Sequence, residues 1–372
     1  MIGLPPEIQR ISRLTPLAEA LACVDRLVAP EAPRRLPLVK AVGFVLAEDI
    51  VNHDDQPAWS VALRDGLAVR ADATLDASAY APVRLDGAPA FVEVGDMLPA
   101  GADAVAPLDA VELRDGVVHA LTPLAPGDGV LPQGADAAGG DLLARAGTRL
   151  RAGAVEALAA LGVSDVAVRD PVVSLAVAEG RGDTIIDAVL RMLGRTVEAA
   201  GGHVRVADHG GLAGALEQPG GIMLVGGSGS GRRDRSVAEL ARLGQVAFHG
   251  VGLAPGETAA FGKVGPRSVL IVPGRLDAAL AVWLTLGRRM LARLAGHDDA
   301  EPGTPVTLTR KIASPLGLAE VVPVAREAGG VAPLASGYLP LRTLARADGY
   351  VLVPADSEGF PAGAAVTMRP LP

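Results

Sequence analysis

A single cysteine, Cys23, occurs among the 372 residues, so the chain can form neither an intrachain disulfide nor a Cys-x-x-Cys redox or metal pair. Cys23 falls within an apolar helical pattern, which marks it as core filler rather than a reactive thiol. Such sparing use of cysteine suits a reducing, cytoplasmic setting. The histidines His53, His119, His203, His209, His249 and His297 show no metal-ligand spacing, which argues against a structural zinc site. The longest apolar run, near Ala278 to Leu286, is far short of the roughly 20 residues of a membrane-crossing helix. Met1 to Arg13 lacks the basic-then-apolar plan of a secretory signal. The formal net charge is −8 with both signs interspersed, so no basic stripe is available to neutralise a nucleic-acid backbone. Neither nucleic acid nor a membrane is expected as a partner.

What is present describes a folded protein of several domains. Hydrophobic residues make up 49% and charged ones 20%, enough apolar surface to offset the entropy of folding. The length exceeds the roughly 250 to 300 residues at which single cores stop growing. Thr15-Pro16 reads as an N-cap with proline at the first helical position, followed by Leu17, Leu21, Val24 and Leu27 at helical spacing. Short alternating runs between Ala58 and Asp141 indicate a small β domain, with a hairpin at Val111 to Leu121 turning at Arg114-Asp115-Gly116. Val155, Leu158 and Leu161 restore helical spacing before Gly162.

From Pro171 to about Gly296, apolar strand-like runs alternate with helical ones, as a parallel sheet with crossover helices demands. Strands are expected at 172–178, 203–207, 222–225 and 269–272, and helices at 184–200, 234–243 and 276–294. Beyond a Pro- and Gly-containing break at Glu301 to Pro305, a terminal β domain follows. The fold class is therefore multidomain α/β plus β. Segments 1–52 and 142–170 flank a β domain at 53–141, ahead of an α/β domain at 171–300 and a β domain at 301–372.

The sharpest local feature is Gly226-Gly227-Ser228-Gly229-Ser230-Gly231, between an apolar strand and a helix expected from Asp234. Glycines allow positive φ and close backbone approach, so successive N–H groups can gather around an anion beyond the carboxyl end of a parallel strand. A phosphate suits that place; a plain flexible turn is the alternative. The spacing is neither the dinucleotide fingerprint nor a P-loop. No loop serine has glycine two residues away on both sides, since Ser228 has Gly226 behind it but Ser230 ahead, so a nucleophile elbow is absent. Asp234 could hold Mg²⁺ beside a phosphate, or simply favour the helix start. Pro255-Gly256-Glu257 and Pro273-Gly274-Arg275 follow strands of the same unit and are placed to line one crevice, although each alone is an ordinary turn signature.

Taken in order, Leu36-Pro37-Leu38, Asp65-Gly66-Leu67-Ala68-Val69-Arg70, Leu98-Pro99-Ala100-Gly101-Ala102-Asp103-Ala104-Val105, Gly147-Thr148-Arg149-Leu150 and Gly226 to Asp234 resemble the molybdopterin molybdenumtransferase family, with Pro255-Gly256, Phe261-Gly262 and Pro273-Gly274 continuing the likeness. The resemblance implies an elongated homodimer of four-domain subunits, with 1–52 and 142–170 as a split linker domain, that inserts molybdate into adenylylated molybdopterin with Mg²⁺, in a cleft shared by both subunits. It makes Asp65, Asp136 and Asp234 the candidate catalytic acids. Gly226, Gly227, Ser228, Gly229, Ser230, Gly231, Pro255, Gly256, Pro273, Gly274 and Arg275 become the candidate ligand-binding set, and Asp234 with Asp183 the candidate metal ligands.

Departures from the family pattern concentrate at the same places. Val94 stands for a threonine, Gly180-Arg181-Gly182 for Gly-Asp-Glu, Ala254 and Glu257 for lysines, and Pro273-Gly274-Arg275-Leu276 for Pro-Gly-Asn-Pro. Replacing lysine by glutamate changes local charge by two, and charge-assisted hydrogen bonds contribute about 1.5–3 kcal/mol each, so anion binding is expected to differ, with Asp183 and Arg275 the candidates to compensate. These losses leave two further readings: a non-catalytic dimeric paralogue that binds a pterin phosphate or a pathway partner, and an enzyme acting on another phosphorylated pterin or nucleotide.

Overall fold

A computed structural model describes residues 9–178, 184–207, 210–298 and 303–372. The α/β domain is built on a six-stranded sheet. In spatial order its strands are His203–Val206, Val172–Val177, Gly221–Val225, Arg267–Val272, Ala260–Val264 and Gln245–His249. The first four run parallel, and the last two add an antiparallel edge. The parallel strands are the four apolar runs expected from the sequence. Gly221–Val225 is buried throughout, as a central parallel strand covered on both faces should be. The edge strands escape the pattern because their burial is mixed and a bulge lies between Val246 and Phe248.

Helices Thr184–Ala199, Gly211–Leu216 and Ser236–Leu243 cover the sheet. The long helix expected at 276–294 is divided: α-helix over Leu276–Val282, a π turn over Trp283–Gly287, then α-helix over Arg288–Ala295. Gly287 leaves space for the buried Trp283 ring, whose Cε3 would lie 2.8 Å from a Cβ added there.

The helix near the N-terminus spans Leu17–Leu27, so Pro16 precedes it instead of opening it. Thr15 and Pro16 instead lie parallel to Val251 and Gly252. Leu17, Ala20, Cys23 and Val24 join the core of the α/β domain, with Leu175, Val251 and Trp283. Asp25 on this helix accepts from Arg289 Nε (2.5 Å) and Nη2 (2.8 Å).

The linker segments pair as Arg34–Pro37, Asp165–Arg169 and Val45–Leu46 over a small core with helix Ala152–Ala160. In the small β domain the expected hairpin forms between Val111–Arg114 and Val117–Ala120, with positive φ at Asp115 and Gly116. At the C-terminus, Ala319–Glu327, Gly330–Pro333 and Gly349–Val353 form a sheet that continues through Val251–Ala254 to Thr15–Pro16. Strand 251–254 thereby ties the C-terminal sheet to the α/β domain. No helix among the described residues is long and apolar enough to cross a membrane.

Candidate functional site

Strand Gly221–Val225 ends at the glycine run, at the carboxyl edge of the parallel sheet. Gly226 has φ +90° and Gly227 φ +68°, conformations that glycine adopts without the Cβ penalty. A Cβ on Gly227 would stand 2.2 Å from Ser236 Oγ, and that hydroxyl donates to Gly226 O at 2.9 Å. The loop begins buried at Gly226 to Ser228 and ends exposed at Ser230 and Gly231. Asp234 bends back over it, with Oδ2 accepting from the Gly231 amide at 2.8 Å and lying against Gly229.

The helix that follows begins at Ser236, two residues later than the sequence suggests, and Arg235 provides no side-chain cap. Its first free amides are met from far along the chain. Gln9 Oε1 accepts from Val237 N (3.2 Å) and Ala238 N (3.4 Å), while Gln9 Nε2 donates to Gly227 O and Gly229 O at 2.7 Å each. His249 Nε2 donates to Ser228 O at 2.8 Å. Sequence reasoning passed over Gln9 and weighed His249 only as a metal ligand. No local signal marks Gln9, and His249 shows itself only as a polar residue closing an apolar strand.

The three turns converge. Ser228 Oγ lies 2.8 Å from Thr258 Oγ1, which joins the loop to the Pro255-Gly256-Glu257 turn. A Cβ on Gly274 would stand 3.7 Å from the Gly226 Cα, so the Pro273-Gly274-Arg275 turn abuts the loop from the other side. Glu257 is held inward, its Oε2 accepting from the Gly256 amide at 3.0 Å. Arg275 forms a two-pronged pair with the buried Asp277 and lies over the Tyr338 ring, 5.1 Å from its centroid. The Asp277 hydrogen bond, opposed by burial, raises the Arg275 pKa above its ordinary value. Arg275 therefore comes to the crevice with its charge already matched by Asp277, which limits what it supplies to an anion. The Arg-x-Asp spacing was the one sequence clue to this pair.

Asp65 and Asp136 lie in the small β domain, and both are exposed. Asp65 Oδ1 accepts from the Val94 amide at 2.9 Å, so Val94 meets Asp65 through its backbone. The Asp136 amide donates to Gln56 O at 2.9 Å. Among the described residues, no hydrogen bond or ion pair joins either aspartate to the glycine loop of the same chain. A cavity of about 720 Å³ adjoins the Asp65 motif, lined by Arg70, Asp72, Asp86, Pro99 and Gly101 among others. Asp183 and the Gly180-Arg181-Gly182 segment lie outside the described residues, as does His209.

The described residues contain no cluster of three or more His, Cys, Asp or Glu side chains that could hold a metal ion. Mg²⁺ commonly takes one or two protein carboxylates and completes its shell with substrate phosphates and water. The single carboxylate of Asp234 beside the glycine loop fits that arrangement, and the described residues offer no all-protein cage.

Comparison with known proteins bears on the whole chain. Residues 15–162 match the family described as the MoeA N-terminal region (domains I and II), and residues 305–371 the MoeA C-terminal region (domain IV). Molybdopterin molybdenumtransferase 1 of Mycobacterium tuberculosis is 26% identical over 90% of this chain and 94% of its own length. The molybdopterin molybdenumtransferase of Synechococcus elongatus is 27% identical over 68% of this chain and 74% of its own. The crystal structure of a molybdopterin biosynthesis MoeA protein from Pyrococcus horikoshii superposes with a TM-score of 0.79 at 26% identity, over 96% of this chain and 100% of that one.

Proposed function

Because the chain belongs to the molybdopterin molybdenumtransferase family of molybdenum cofactor biosynthesis, we propose that it inserts molybdate into adenylylated molybdopterin in the cytoplasm, as a homodimer. The observation that carries this reading is the convergence at one sheet edge of the glycine loop, Asp234 and the two Pro-Gly turns. Ligands of open α/β sheets bind outside the carboxyl ends of the strands, and backbone amides there suit a phosphate or an oxyanion. The loop residues Gly226 to Gly231, with Pro255, Gly256, Pro273, Gly274 and Arg275, would bind the phosphate-bearing substrate. Asp234 would hold Mg²⁺ through a carboxylate oxygen, and the ion would supply charge neutralisation at the phosphate.

Asp65 and Asp136 would act from the small β domain of the second subunit, since their own chain does not bring them to the loop. The test is turnover of adenylylated molybdopterin with molybdate and Mg²⁺ by the purified protein. Product above a protein-free control is expected. Absence of both turnover and Mg²⁺-dependent binding would defeat the proposal. Mg²⁺-dependent binding without turnover would instead favour the non-catalytic paralogue, a reading that the loss of lysine at Ala254 and Glu257 keeps in view.

A further inference from the structure

The helix start beside the glycine loop is the obvious place to expect an anion, yet its surroundings do not match one. Two N–H groups, of Val237 and Ala238, converge there with two carbonyl oxygens, of Gly227 and Gly229. A phosphate carries acceptors only and would meet both carbonyls with like polarity. A primary carboxamide carries one acceptor oxygen and two N–H donors, and it satisfies all four groups. The chain supplies that carboxamide itself, as Gln9.

Delivery of Gln9 depends on the segment that follows it. The Thr15 amide donates to Gly250 O at 3.0 Å, and Thr15–Pro16 runs beside Val251–Gly252. Gly250 has φ +94°, and a Cβ there would stand 2.5 Å from Ile11 Cγ2, so only glycine admits the segment at this distance.

A trans peptide is planar, with C=O and N–H on opposite sides. Turning Gly227 O and Gly229 O toward Gln9 therefore turns the Ser228 and Ser230 amides away from it. His249 fixes the intervening peptide through Ser228 O and so orients the Gly229 amide. The Gly227 carbonyl also accepts from the Ser236 amide at 3.2 Å, so side chains remote in sequence set the direction of the Ser228 and Gly229 carbonyls and share in setting that of Gly227.

We infer that Gln9 is a positioning residue for the glycine loop: its carboxamide fills the helix start and aims the Ser230 amide to the opposite side, which makes the exposed outer loop the anion-binding face. The loop geometry stands by itself; the anion-binding part rests on the reading under Proposed function.

The test compares wild type with Gln9→Ala and Gln9→Asn, whose amide is one methylene too short. Amide hydrogen exchange is followed over residues 227–238, and AMP affinity is measured by calorimetry with Mg²⁺ present. Both variants are expected to exchange faster in this segment alone and to bind AMP about tenfold more weakly, the equivalent of one or two net hydrogen bonds. Added acetamide should restore Gln9→Ala on both counts, whereas acetate, which brings no donors, should not. Unchanged exchange in Gln9→Ala overturns the inference. So does faster exchange with unchanged AMP affinity, or equal rescue by acetate. If wild type binds no AMP, the Proposed function loses its support, and exchange with its acetamide rescue alone decides the role of Gln9.

Discussion

The Oδ2 atom of Asp234 lies 2.8 Å from the amide nitrogen of Gly231, closing the glycine loop on itself with a carboxylate. That carboxylate has two separable duties, to hold the loop and to carry charge. Asp234→Asn keeps an oxygen for the Gly231 amide and loses the charge; Asp234→Ala loses both. Both variants are expected to lose Mg²⁺-dependent binding of adenylylated molybdopterin, by about tenfold or more, since charge-assisted contacts are worth about 1.5–3 kcal/mol. Only Asp234→Ala should also speed amide exchange at Gly231. Retained Mg²⁺ dependence in Asp234→Asn, measured by calorimetry, would count against Asp234 as the metal ligand.

Glu257 places a negative charge in a crevice proposed to take anions, with its carboxylate turned onto the Gly256 amide. Glu257→Lys changes the local charge by two. It is expected to tighten AMP and molybdate binding by about tenfold at low salt, an effect that shrinks as ionic strength rises because exposed charges are screened. Titrations at two salt concentrations check both parts.

Asp25 ties the N-terminal helix to the helix over Arg288–Ala295 through Arg289. The hydrogen bond from Arg289 holds the Asp25 carboxyl below its ordinary value of 3.8. A depressed acid contributes stability above its unfolded pKa, and that contribution is lost as pH falls through the lower folded value. Asp25→Asn should therefore cost about 1–2 kcal/mol at neutral pH and progressively less as pH falls below 3.8. Urea denaturation at pH 7 and at acid pH measures the difference.

Glu31 behaves in the opposite sense. Burial raises its pKa above the ordinary 4.5, although Oε1 accepts from the Val172 amide at 3.0 Å. A raised acid favours the folded state most below the unfolded pKa, and this is lost as pH rises through the folded value. Glu31→Gln keeps an acceptor for Val172 and removes the charge, so it is expected to be more stable than wild type at neutral pH. Each tenfold difference in proton affinity is worth about 1.4 kcal/mol. Thermal unfolding across the acid-to-neutral range should show the gap opening as pH rises; a gap independent of pH would contradict this.

Strands Val172–Val177, Gly221–Val225 and Arg267–Val272 were readable because parallel strands buried on both faces must be apolar along their length. The edge strand Gln245–His249 carries no such demand and went unread. The start of helix Ser236–Leu243 was placed too early because Asp234 has the residue type of a helix opener, yet its carboxylate serves the loop. Trp283 and Gly287 gave no sign of the π turn between them, which answers to the fit of one ring against its neighbours.

Composition, periodicity and the order of short motifs were enough to determine the fold class, the parallel sheet and the family, because each is read from residues near one another in the chain. Which amides the glycine loop presents was decided only in three dimensions. Gln9 reaches Gly227 and Gly229 from 218 and 220 residues away, and His249 reaches Ser228 across 21. Peptide direction within a glycine run is nearly free of local preference. Hydrogen bonds from remote side chains settle it, and only the assembled fold brings those side chains within reach.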